Sequence, residues 1–125
     1  MAKILIVEDN PDNMRLVRTV LRLKGHVIHE LMDGEGMLAL IAAEQPDLVL
    51  MDIQLPGKDG FELLEEIRRS PTPRLRVVAL TAHAMSGDRD RTLEAGFDGY
   101  ITKPIDIRGF PLQVDRALAG ESVTD

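Results

Sequence analysis

Three short runs in this sequence are apolar without interruption: Ile4-Leu-Ile-Val7, Leu48-Val-Leu-Met51 and Val77-Val-Ala-Leu80. A strand with one face in water alternates apolar and polar residues, whereas a strand without alternation must be covered on both faces. Helices that cross over a parallel sheet provide that cover, so the runs confine the chain to a layered α/β architecture. Each run ends abruptly at polar residues: Glu8-Asp9, Asp52 and Thr81. None approaches the roughly 18 residues of a membrane span, and the first is too short to be a secretory leader. Two weaker segments complete a sheet, Val27–Leu31 and Gly99–Thr102, the latter ending at Lys103-Pro104.

Between the runs the apolar period becomes helical. Asn10 suits the cap and Pro11 the first position of a helix whose buried face is Met14, Val17 and Leu21, with Gly25 as its stop. Asp33 is placed to cap a second helix carrying Met37, Leu38, Leu40 and Ile41, closed by Gln45-Pro46. Asp59-Gly60 opens a third with Phe61, Leu64 and Ile67 inward, and Ser86 caps a fourth through Leu93, stopped by Gly96. A fifth helical period covers Ile107–Leu118. Pro111 lacks a backbone donor, so the regular helix is predicted to start near Gly109 or later.

Strand and helix thus alternate five times, and right-handed crossovers with short loops make an open, doubly wound α/β sandwich the economical arrangement. The 125 residues suffice for one domain. Its core must be aliphatic, because Phe61, Phe97, Tyr100 and Phe110 are the only aromatic residues. We expect a domain over residues 1–119, a flexible polar tail over 120–125 and no fused output domain. The absence of cysteine excludes disulfides, thiolate nucleophiles and Cys-ligated zinc. A net charge of −6 argues against nucleic acid as a partner. With no membrane segment either, the expected location is cytoplasmic.

In doubly wound sheets, ligands bind outside the carboxyl ends of the strands. That rule brings together Glu8 and Asp9 after the first strand, Asp52 after the third, Thr81 after the fourth and Lys103 after the fifth. Taken singly, each has an ordinary reading: an Asp after a strand is usually a turn or cap, and a Lys before a proline a solvated charge. Their coincidence at one edge favours a site. Clustered carboxylates repel one another unless a cation lies between them, and an all-oxygen donor set suits a hard ion, most simply Mg²⁺. A carboxylate beside such an ion, a hydroxyl and an ammonium is equipped for phosphoryl transfer through an acyl phosphate.

The stretches Ile4-Leu-Ile-Val-Glu-Asp-Asn10, Asp47-Leu-Val-Leu-Met-Asp-Ile-Gln-Leu-Pro-Gly-Lys-Asp-Gly60, Val78-Ala-Leu-Thr-Ala82 and Gly99-Tyr-Ile-Thr-Lys-Pro104 resemble, in order, those of the response-regulator receiver domains of two-component signalling. The resemblance implies a flavodoxin-like five-stranded parallel sheet of order 2-1-3-4-5 with five helices. It implies that Asp52 accepts a phosphoryl group, and that Glu8, Asp9, Asp52 and the backbone carbonyl of Gln54 hold Mg²⁺. Thr81 is then the hydroxyl that turns toward the phosphoryl group, Lys103 the ammonium that contacts it, and Tyr100 the switch aromatic. Lys103-Pro104 is implied to be a cis peptide. Gln54 and His83, two residues beyond the acceptor and the switch threonine, flank the path of an attacking water, so they are candidates to modulate hydrolysis. The implied partners are a histidine kinase or histidine phosphotransfer protein as donor and a downstream protein target, the chain being a monomer or a phosphorylation-dependent dimer. As a signalling domain it catalyses only its own phosphorylation and dephosphorylation.

An alternative with similar groups is a haloacid-dehalogenase-like phosphatase. Such an enzyme needs a general acid two residues after its nucleophile, and that position here is Gln54. A nucleotide-binding module is disfavoured by the acidic first turn. Arg15, Arg18 and Arg22 form a basic stripe, either a solvated face or a docking surface for the phosphodonor. His26 and His29 lack a third ligand for a metal, Met85 reads as loop packing, and Gly57-Lys58-Asp59-Gly60 reads as a turn rather than a phosphate loop.

Overall fold

The structure, a computed structural model, describes residues 2–72, 74–82 and 86–124, with the side chains of 86–89 excepted. Strands and helices alternate as β1 Lys3–Val7, α1 Pro11–Leu23, β2 Val27–Leu31, α2 Met37–Glu44, β3 Leu48–Asp52, α3 Gly60–Arg68, β4 Val77–Thr81, α4 Ser86–Glu94, β5 Gly99–Thr102 and α5 Phe110–Leu118, followed by a short β6 Val123–Thr124. The sheet is parallel, in the order β2-β1-β3-β4-β5-β6. The first five strands thus have the expected flavodoxin-like order.

The uninterrupted apolar runs are explained by two separate cores. Ile4 and Ile6 of β1 join Leu48 and Leu50 of β3 in a layer under α1 and α5, with Val17, Leu21, Phe110 and Val114. Leu5 and Val7 point the other way, into a layer with Val49, Met51, Leu63, Leu64 and Ile67 under α2 and α3. Every residue of β3 and β4 is buried. Alternation along each strand is still present, but both directions lead to a dry core.

Helix starts follow local chemistry in two cases and not in a third. Asn10 caps α1, its side chain accepting from the N–H groups of Asp12 and Asn13 at 2.9 and 3.1 Å. Asp59 caps α3 by accepting from the Glu62 N–H at 3.0 Å. Asp33 does not cap α2. Its carboxylate accepts from the N–H of Glu35 at 2.9 Å, closing a local turn, and the helix begins at Met37 after Gly36. On α3, Leu63 is buried beside Leu64 and Ile67, while Phe61 is only half-buried. Among the described side chains of α4, Thr92 is buried and Leu93 exposed. The fifth helix starts as predicted, with Gly109 at its cap.

The tail departs from expectation. Helix α5 ends in a reverse turn in which the N–H of Gly120 donates to Ala117 O and that of Glu121 to Arg116 O, with Gly120 at φ +90°. This turn sends residues 121–124 back along β5, where Val123 pairs with Gly99 and Thr124 with Tyr100. Arg76 donates to the Glu121 carbonyl at 2.7 Å, and Val123 enters the α1/α5 core. Gly99 makes the approach possible, because a Cβ there would lie 2.2 Å from Val123 O. Gly99→Ala is therefore expected to expel the strand and lower stability by about 1–2 kcal/mol, the burial of one valine. Urea unfolding measures that loss, and faster proteolysis after residue 119 accompanies it. Unchanged values for both would mean that β6 contributes nothing.

Among the described residues, no helix is long and apolar enough to cross a membrane.

Candidate functional site

Strand register assembles the polar residues at one edge. Val7 pairs with Met51, so the next residues, Glu8 and Asp52, lie side by side. Asp52 pairs with Leu80, which puts Thr81 one step beyond it. Thr81 pairs with Thr102, so Lys103 follows, its N–H donating to the Thr81 carbonyl at 2.7 Å. The Lys103-Pro104 peptide is cis.

Lys103 bridges the two buried acids. Its Nζ lies 2.7 Å from Glu8 Oε1 and 3.0 Å from Asp52 Oδ2. The other Asp52 oxygen, Oδ1, accepts from the Gln54 N–H at 2.9 Å. Glu8 Oε2 accepts from the Asn10 N–H at 3.3 Å. Burial is the largest influence on Glu8 and pushes its pKa up to about 7; the neighbouring Asp52 adds to this and Lys103 opposes it. The Lys103 ammonium loses solvation in the same place, yet its hydrogen bonds to Glu8 and Asp52 outweigh that loss and hold its pKa above the ordinary value.

Glu8, Asp9 and Asp52 offer carboxylate oxygens that all lie within 4.8 Å of one another, with Asp9 on the solvent side. With all three ionised and Lys103 charged, the formal local charge is −2. A divalent cation balances that charge, and an all-oxygen set with an open, exposed side suits a small hard ion that keeps some of its water. The donor set therefore fits Mg²⁺.

Thr81 is buried on the same edge. Tyr100 lies in the α2/α3 layer with Phe97, each 4% exposed, so its ring already points inward. His83 and Met85 lie outside the described residues. The basic stripe is partly neutralised, since Arg18 donates to Glu30 at 2.6 Å, while Arg15 and Arg22 remain exposed. His26 accepts from the Ala2 N–H and His29 faces Glu44 at 3.6 Å, so the two histidines have separate partners. Gly57, at φ +76°, turns the chain after β3, and Lys58 pairs with Glu66.

One contributor was not apparent from motif reading. Gly60 lies against the backbone of the acceptor segment, where a Cβ would be 2.8 Å from both Asp52 O and Ile53 Cα. Its only sequence signal is a glycine at a helix start, which a turn explains equally well.

The sequence profile of the response regulator receiver domain matches residues 4–114. The chain belongs to the response-regulator receiver family. Among relatives of this receiver, the polar-differentiation response regulator DivK of Brucella anthropi is 39% identical over 108 residues, 86% of this chain and 88% of that protein. The sensor histidine kinase GacS of Pseudomonas protegens is 42% identical over 110 residues, 85% of this chain. The receiver spans only 12% of GacS, and likewise a small part of several other curated relatives. A solved receiver domain, that of sensor histidine kinase PA1611 from Pseudomonas aeruginosa, superposes with a TM-score of 0.85 at 34% identity, covering 94% of this chain and 98% of that one. That structure has a magnesium ion coordinated in its active-site cleft. Family membership speaks for a receiver and against the phosphatase alternative.

Proposed function

We propose that this receiver accepts a phosphoryl group on Asp52 from the phosphohistidine of a histidine kinase or phosphotransfer protein and signals through altered binding to a downstream protein. The observation that carries this reading is the Asp52–Lys103–Glu8 contact: a buried carboxylate with an ammonium against one oxygen and a backbone N–H against the other. An Asp52 oxygen forms the new bond to phosphorus while the bond to the donor nitrogen breaks. Lys103 then exchanges a carboxylate partner for phosphoryl oxygens, and Thr81 supplies a hydroxyl donor. Glu8, Asp9, Asp52 and the Gln54 carbonyl would hold Mg²⁺. Bound there, the ion supplies positive charge to the acidic pocket and to the incoming phosphoryl oxygens.

Within this reading Thr81 and Tyr100 form the switch. A turn of Thr81 toward the phosphoryl group changes the packing space next to the Tyr100 ring, a local charge event biasing a two-state element. Gln54 and His83 modulate hydrolysis by holding or excluding water. The location is cytoplasmic, and the domain is a monomer or a phosphorylation-dependent dimer.

Incubation with acetyl phosphate and Mg²⁺ followed by intact-mass measurement tests the function. A single added phosphoryl group is expected; no addition, or rapid turnover of donor without a stable adduct, overturns it. Asp9→Asn is expected to weaken Mg²⁺ binding by about tenfold or more, since it removes one charged ligand. Titration of the metal alone reads this, and an unchanged midpoint would remove Asp9 from the ligand set.

A further inference from the structure

A cavity of ≈ 420 Å³ opens beside the acceptor, its lining including Gln54, Thr81, Asp59, Phe61 and Arg91. Gln54 and Thr81 connect it to Asp52, through the Gln54 N–H at 2.9 Å from Asp52 Oδ1 and through the β3–β4 register. Arg91 is part of the same lining. The guanidinium carbon lies 4.4 Å from the centroid of the Phe61 ring. That ring is fixed in turn by an edge contact with buried Phe97, at 5.7 Å between centroids and 81° between planes. Cation–π attraction to a ring does not use up the N–H donors of a guanidinium in ion pairs, so they can serve an anionic ligand. Among the described residues no carboxylate lies within ion-pair distance of Arg91. Asp59, the acid of this lining, is engaged in capping α3.

We propose that Arg91 is a specificity-determining residue that contacts the leaving group of small phosphodonors and favours acyl phosphates over donors with a nitrogen leaving group. This rests on Asp52 being the acceptor. With acetyl phosphate, an Asp52 carboxylate oxygen bonds to phosphorus, the P–O bond to the acetyl group breaks, and acetate departs with the electron pair and a full negative charge. No proton is required. A guanidinium in the cavity next to the acceptor stabilises that charge as it develops. With phosphoramidate the P–N bond breaks and neutral ammonia departs from a nitrogen that is already protonated, so the same cation gives no assistance.

The test compares phosphorylation rates with acetyl phosphate and with phosphoramidate, at equal Mg²⁺, for wild type, Arg91→Met and Arg91→Lys. Methionine keeps an apolar side chain over Phe61 without the charge. The ratio of the acetyl phosphate rate to the phosphoramidate rate is expected to fall about tenfold in Arg91→Met, the size of one charge-assisted hydrogen bond at a partly exposed site. Arg91→Lys keeps the charge and is expected to retain most of the ratio. An unchanged ratio in Arg91→Met, or an equal fall in both variants, overturns the proposal while leaving Asp52 as acceptor. Failure of the wild type to take phosphate from either donor overturns both.

Discussion

Asp52→Asn takes no phosphoryl group from acetyl phosphate, and its intact mass after incubation with Mg²⁺ is that of the untreated protein. The amide is nearly the same size and can still accept the Gln54 N–H that Asp52 Oδ1 accepts at 2.9 Å. Packing around a residue only 5% exposed is thereby kept. Nucleophilicity is not: an amide oxygen carries no full charge and cannot form a stable acyl phosphate. Losing the carboxylate also removes a like charge beside Glu8, whose elevated pKa owes part of its rise to Asp52. Lys103 loses its Asp52 partner but keeps Glu8 at 2.7 Å, so a one-to-one buried pair remains and the variant is expected to stay folded in the absence of metal. Loss of labelling with the fold retained locates the chemistry at Asp52, whereas a persistent mass shift would place the acceptor elsewhere.

Lys103→Ala produces the largest expected change in stability. The ammonium lies 2.7 Å from Glu8, which is fully buried, and 3.0 Å from Asp52. Removing one partner of a buried ion network leaves the others uncompensated and costs about 3 kcal/mol or more. Urea unfolding at neutral pH without divalent ions reads that loss. Mg²⁺ affinity is expected to stay or rise, because the variant keeps every carboxylate of the acidic cluster and loses a competing cation. Phosphorylation is expected to slow by about two orders of magnitude, as when one preorganised donor to a developing oxyanion is removed. The division of roles is what the comparison tests: equal losses of metal affinity and phosphorylation would place Lys103 in the metal site rather than against the phosphoryl group.

The layered fold and the edge at which the polar groups meet were legible in residue order. Short apolar runs such as Leu48-Val-Leu-Met51, flanked by helical periods, read as strands covered on both faces, and their polar endings are a property of chain order alone. Capping by Asn10 and Asp59 was equally legible, because a cap bonds within three residues. Other features depend on contacts between distant segments. Asp33 suits a cap in isolation, but its carboxylate closes a turn, and the loop instead brings Gly34 against Leu63. Val123 sits in a polar, tail-like sequence and becomes a strand only because Gly99, 24 residues earlier, leaves room for its backbone. Arg91 belongs to no motif, and its place in the cavity lining follows from Phe61, which lies on another helix. Local bonding preferences are written in neighbouring residues, whereas register, close backbone approach and the environment of a charge are set by segments that meet only once the sheet has formed.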